Sequence, residues 1–298
     1  MVDSGLLLID KPEGPSSAQV VRRVKVLLGA KKVGHLGTLD PFASGLLLLG
    51  VNEGTKIADL FLGAPKSYRG IIVMGVETDS QDATGSVVQV RAVPALGIAE
   101  LGDLERQFSG DLRQVPPMFS ALKRAGVPLY RLARQGKEVP REPRSIRVEK
   151  LRLKNLGNDE IEMELTCSRG TYVRTLAADM GKFLGCGAHL KSLRRLACGH
   201  LTVDRAVTLD ALERLGASAP LLSLETALEP LRAMTWENQR LSRLRLGQQE
   251  ILRHMDKPVG EEKLARIVDP SGRLVALIEW IDDAPQGRWR LVRIFREE

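Results

Sequence analysis

Short apolar runs alternate with stretches of helical periodicity along most of this chain. Leu6-Leu7-Leu8-Ile9 is an apolar run halted by Asp10-Lys11-Pro12, which predicts a buried strand entering a turn. Ser16 or Ser17 can cap the helix that follows, where Val20, Val24, Leu27 and Leu28 share one side and Arg22, Arg23 and Lys25 the other. Gly29 ends it. Lys31 to Gly45 is rich in glycine and small residues without periodicity and reads as a loop, and Leu46 to Val51 predicts a second buried strand. Arg69–Val76 and Val87–Val90 read as strands joined by a polar turn over residues 79–85. A helix is expected from Ile98 to Phe108, with Leu101, Leu104 and Phe108 on one face, and another from Thr175 to Leu184. Between them, Val148–Leu156 and Ile161–Cys167 alternate apolar and polar residues as half-buried strands do.

A seam is expected at Pro220–Pro230, dividing residues 1–229 from residues 230–298. Beyond it come an amphipathic helix (Leu241, Leu244, Leu246) stopped by Gly247 and strands at Leu264–Val268, Leu274–Trp280 and Trp289–Phe295. Asp269-Pro270-Ser271-Gly272 supplies a hairpin turn between two of them. So many short strands in some 70 residues predict a small β-barrel module.

The 298 residues carry 44 Lys+Arg against 37 Asp+Glu, a net charge of +7 that favours a polyanionic partner. The surplus is spread over both sides of the seam, but residues 123–145 are unusually basic, with Lys123, Arg124, Arg131, Arg134, Lys137, Arg141 and Arg144 against only Glu138 and Glu142. Cys167, Cys186 and Cys198 are too widely spaced for a Cys-x-x-Cys pair, which suits a reducing compartment. The four histidines show no metal-ligand spacing. No apolar run approaches the roughly 20 residues of a membrane helix, and no secretory signal is visible. A cytoplasmic protein without a metal is expected.

The densest chemistry lies in Gly34-His35-Leu36-Gly37-Thr38-Leu39-Asp40-Pro41-Phe42-Ala43-Ser44-Gly45-Leu46. Its glycines permit close approach of backbone or ligand, and Pro41 restricts Asp40 to an extended conformation. A carboxylate fixed at a loop–strand boundary can serve catalysis, although Asp-Pro is equally a common turn element. This block resembles the signature of the TruB family of tRNA pseudouridine synthases, in which the aspartate is catalytic. Further segments resemble the family in the same order: Leu8-Ile9-Asp10-Lys11-Pro12 with Ser16-Ser17, Lys66-Ser67-Tyr68-Arg69, and Thr78-Asp79-Ser80-Gln81-Asp82. So do Pro117–Lys123 and Tyr130–Gly136 of its thumb-like insertion, Cys167–Thr175, Gly187-Ala188-His189-Leu190 and Leu193-Arg194-Arg195. The likeness spans residues 5–200. The last 70 residues match less clearly and stand where the family has a PUA-like RNA-binding module.

The resemblance implies an isomerase that converts uridine 55 in the T-loop of tRNA to pseudouridine, with no cofactor because the change is redox-neutral. It implies an α+β fold: a catalytic domain on a mixed, mainly antiparallel sheet with a cleft across it, followed by the PUA-like barrel. Asp40 is the essential carboxylate, which can add to the base, attack the sugar or remove the C2′ proton. Arg174 is the expected partner that keeps Asp40 charged and oriented, the alternative being a phosphate contact or a surface charge. Tyr68 is expected to stack on the base, or else to be a core tyrosine. Lys11 is expected to support the active-site loops or to be a solvated turn lysine. Leu193 is expected at the apolar wall around the base or in the ordinary core. His35 and Tyr172 are assigned to RNA binding or support, His35 helping to hold a base turned out of its stack. The compact chain resembles the stand-alone form, a monomer needing neither guide RNA nor protein partner. Two other readings share part of this pattern. An RNA chaperone without catalysis does not require the Asp40, Tyr68 and Arg174 set, and a nucleoside glycosidase does not require the basic insertion.

Overall fold

The structure is a computed structural model that describes residues 3–296 except 254, 259, 261 and 284–286; His254 therefore lies outside the described residues. The fold is α+β. Its main sheet runs in the order Val207–Thr208, Gly5–Lys11, Ser44–Val51, Ala188–Cys198, Lys66–Met74, Glu160–Cys167, Arg144–Gly157, Gly110–Gln114. Pairing is antiparallel except where Ala188–Cys198 meets Ser44–Val51 and where Val207–Thr208 meets Gly5–Lys11.

The unbroken apolar runs have a physical cause: both faces of the sheet are covered there. Leu7, Ile9, Leu47 and Leu49 point into the large core beneath the Ser17–Leu28 and Val173–Phe183 helices. Leu6, Leu8, Leu46 and Leu48 point the opposite way, onto Phe61, Leu224 and Leu228 and onto Leu274, Leu277 and Phe295 of the C-terminal module. A strand buried on two faces loses the apolar–polar alternation. The described residues of that module form a four-stranded sheet, Arg232–Thr235, Leu264–Val268, Leu274–Ile281, Arg288–Ile294, with a core of its own around Trp236, Leu244, Ile267 and Trp289. Among the described residues no helix is long and apolar enough to cross a membrane.

Several boundaries differ from the pattern-based expectation. The expected Arg69–Val76 strand is two, Lys66–Met74 and Val76–Thr78, separated at Gly75 with φ +80°. The helix expected from Thr175 begins at Val173, so Arg174 lies in its first turn. Val33–His35, within the expected loop, pairs with Ser44–Val51. The strands Gly110–Gln114 and Ala188–Cys198 were not anticipated at all.

Candidate active site

Asp40 sits in the loop between the Val33–His35 and Ser44–Val51 strands, and that loop is pinned residue by residue. The Ser17 hydroxyl donates to Leu39 O and accepts from Leu39 N, both at 2.8 Å, while Ser16 takes the helix cap. Pro41 O accepts from Gly14 N at 2.8 Å and from Lys11 Nζ at 3.4 Å. Lys11 is wholly buried and also donates to Pro12 O and Pro15 O. Burial pushes its ammonium down to about 8, against the opposing charge of Asp40. On the other side, the buried Arg195 guanidinium donates to Gly37 O, Thr38 O and Leu46 O. The strand turns under Arg195 at Gly45, where φ is +98° and a Cβ would stand 2.3 Å from Arg195 O. Only glycine fits.

Held this way, the Asp40 side chain remains 39% exposed while Arg174, 5% exposed, reaches it from the helix with Nε–Oδ2 at 2.9 Å. Every nitrogen of that guanidinium is engaged: Nη1 donates to Ser80 O at 2.8 Å and lies 3.2 Å from Asp82 Oδ2, and Nη2 donates to Phe119 O at 2.8 Å. Asp82 is itself buried and accepts from Ser80 Oγ and from Thr84 N and Oγ1. One arginine thus joins the Asp40 loop, the 80–84 turn and the insertion. Ser17, Asp82 and Arg195 lie in segments that resemble the family, but the sequence assigns none of them a role in the site. Asp82-x-Thr84 carries the signature of a side-chain-braced turn, but its partner lies 92 residues away, a distance no local pattern reports.

Asp40, Arg174 and His35 line one cavity of about 690 Å³, together with Ser16, Asp82, Ser120, Tyr130 and Arg134. Tyr130 and Arg134 come from the insertion, which forms a small hairpin, Lys123–Arg124 with Val127–Pro128, and a short helix, Leu129–Ala133. Among the described residues, the buried His35 Nδ1 in this wall has no hydrogen-bond partner, whereas the Ser120 hydroxyl faces the Tyr172 phenol. Burial, then the Arg195 charge, lowers the His35 pKa below the ordinary imidazole range, so the ring is neutral at pH 7. Lys11, Tyr68, Tyr172 and Leu193 are not among the residues that line the cavity. Tyr68 and Leu193 lie on adjoining strands, with Tyr68 opposite Arg195 and Gly70 opposite Leu193. Burial pushes the Tyr68 phenol up to about 12, so it stays protonated. Leu193 is buried in the main core, and Tyr172 immediately precedes the helix of Arg174, its phenol also pushed up by burial.

The family model described as TruB family pseudouridylate synthase (N terminal domain) matches residues 25–173, and that described as tRNA pseudouridylate synthase B C-terminal domain matches residues 174–235. The chain belongs to the TruB family of pseudouridylate synthases, which are isomerases. Among its relatives, the tRNA pseudouridine synthase B of Geobacter sulfurreducens is 47% identical over 82% of this chain and 81% of its own length. That of Stutzerimonas stutzeri is 40% identical over 97% and 96%. That of Syntrophobacter fumaroxidans is 42% identical over 98% of each chain. A crystal structure of a Cbf5-Nop10-Gar1 complex shares the fold, with a TM-score of 0.72 over 98% of this chain and 85% of that chain at 22% identity. So does an H/ACA RNP bound to a substrate RNA containing 2′-deoxyuridine, with a TM-score of 0.70 at 20% identity over the same shares.

Proposed function

We propose that this TruB-family chain isomerises uridine 55 in the T-loop of tRNA to pseudouridine, acting as a monomer without a cofactor, with Asp40 as the essential carboxylate. Relatives named tRNA pseudouridine synthase B that align over nearly the whole chain support tRNA as the substrate. The observation that carries the assignment of Asp40 is its pairing: a carboxylate open to the cavity on one side and bonded to a buried arginine on the other. The cavity has the size of small-molecule sites and admits one nucleotide turned out of its loop.

The reaction breaks the N1–C1′ bond, turns the base and joins C5 to C1′. Adding to the base, attacking the sugar and removing the C2′ proton all need an ionised oxygen held within reach of the nucleoside. Arg174 aims the Asp40 oxygen through its Nε contact, and the pinned loop fixes the Asp40 backbone. Tyr68 packs against the main core outside the cavity lining, and its protonated phenol is not suited to general base catalysis near neutrality. Neutral His35 offers one unsatisfied polar atom for the displaced nucleotide or its neighbours to complete. Phosphate contacts from the basic insertion supply affinity.

Asp40→Asn tests this directly. The variant keeps the shape of the loop and loses the charge, so it should bind unmodified tRNA in filter assays. It should release no tritium from uridine labelled at C5. Substantial turnover by pure variant protein would overturn the assignment. Loss of binding together with turnover would mean that Asp40 mainly holds the loop.

A further inference from the structure

Gln114 ends the last strand of the main sheet, opposite Arg144, so the two residues stand where the chain leaves the sheet for the insertion and where it returns. Its side chain is 3% exposed and spent entirely on one residue. Oε1 accepts from Tyr172 N at 2.8 Å, and Nε2 donates to Tyr172 O at 3.1 Å. Tyr172 is the N-cap of the Val173–Phe183 helix and provides no side-chain cap of its own. A helix start without a cap leaves its first amides unpaired and its entry poorly defined. A glutamine from a strand 58 residues earlier therefore fixes the entry of this helix, in the manner of a two-bond strand pairing.

Arg174 follows two residues later, and its Nη2 donates to Phe119 O, five residues beyond Gln114. The connections close a ring from Gln114 to Tyr172, along the helix to Arg174, across to Phe119 and back along the chain. We propose that Gln114 is a positioning residue for the isomerisation: it sets the start of the helix and so the placement of the Arg174 guanidinium on Asp40, and it ties both to the root of the insertion that walls the cavity. The proposal rests on the reading that Arg174 orients a catalytic Asp40. Gln114 faces a backbone and not the cavity lining, so it acts through Arg174.

Gln114→Met keeps the length and removes both bonds; Gln114→Asn keeps the amide and falls one methylene short, which guards against a poorly folding Met variant. Each is made alone and with Arg174→Lys, checked for folding by circular dichroism, and read by single-turnover tritium release and by filter binding of unmodified tRNA. A misplaced catalytic group costs about a hundredfold per ångström, so either Gln114 variant alone should slow conversion by roughly ten- to a hundredfold. Binding should stay within about twofold, because phosphate contacts supply it. In the Arg174→Lys background the same change should cost less than about twofold, since residues acting as one unit are non-additive. Equal slowing in both backgrounds, or weakened binding at an unchanged rate, or a lowered melting temperature at an unchanged rate, would each overturn the role of Gln114. Should Arg174→Lys alone leave conversion unaffected, the underlying reading of Arg174 would fail instead.

Discussion

Arg174→Lys separates what the arginine does for the fold from what it does for the chemistry. The guanidinium serves four partners, and a single ammonium on a shorter stem cannot reach them all. Loss of the bonds to Ser80 O and Phe119 O removes about 1 kcal/mol each. Asp82, with a side chain only 5% exposed, keeps its Ser80 and Thr84 donors but loses a close cation. Leaving a buried carboxylate without its partner costs about 3–5 kcal/mol, and the retained lysine charge brings that towards roughly 1–2 kcal/mol. Asp40 is 39% exposed, so water screens its pair, which adds at most about 1 kcal/mol. A net loss of about 3–5 kcal/mol corresponds to a fall in melting temperature of roughly 6–20 °C for a chain near this size. The rate should respond through a different contact. With Nε gone from Asp40, the carboxylate loses its orientation, and single-turnover conversion should fall by about a hundredfold or more. Differential scanning fluorimetry and tritium release on the same preparation read the two effects. A melting temperature lowered as expected with conversion within about threefold of wild type would show that Arg174 is a structural residue. An unchanged melting temperature would refute the buried-pair reasoning itself.

Two further predictions follow from the same loops. Burial pushes the Lys11 ammonium from its ordinary 10.5 down to about 8 in the folded chain, so the unfolded state holds more protons between those values. Its contribution to stability therefore rises with pH across that window and is flat below it; urea unfolding at pH 7.5 and 9.5 should show a more positive change in wild type than in Lys11→Met, and equal changes would contradict the depressed value. Gly45→Ala places a methyl 2.3 Å from Arg195 O at a φ that L-residues rarely adopt, so it should destabilise the protein by several kcal/mol, more than about 3, and a variant that melts within 2 °C of wild type would show that the strand can shift.

The sequence made those parts of the fold legible whose burial is uniform along the element. Leu6–Ile9 and Leu46–Val51 stand out because helices and the C-terminal module cover opposite faces of one sheet. The Ile161–Cys167 alternation is visible because one face there is apolar and the other partly wet. Ala188–Cys198 was missed although it lies in the middle of the sheet. Register shifts at Leu190/Ser192 and Arg195/Ala197 break its alternation, and Arg194 and Arg195 interrupt its apolar pattern. Those interruptions serve other parts of the molecule: Arg194 makes a bidentate pair with Asp10, and Arg195 clamps the loop that carries Asp40. Gly110–Gln114 was missed for a related reason, being a short edge strand with exposed polar residues and one buried glutamine.

The site shows the same division. Asp40 and Arg174 were identified through family resemblance, while the residues that hold them, Ser17, Asp82, Gln114 and Arg195, act mostly through hydrogen bonds to backbone. Such contacts leave no periodicity and no charge pattern, because a carbonyl belongs to whichever residue happens to stand there. They also explain how the Asp40 loop keeps its shape without a helix or strand of its own. Each of residues 37–41 except Asp40 has a backbone group held by Lys11, Gly14, Ser17 or Arg195, and the Asp40 carbonyl accepts from Ala43 N. The side chain of Asp40 is then the part of the loop free to meet a substrate. Rigidity is concentrated in the backbone, and half-exposure is reserved for the carboxylate.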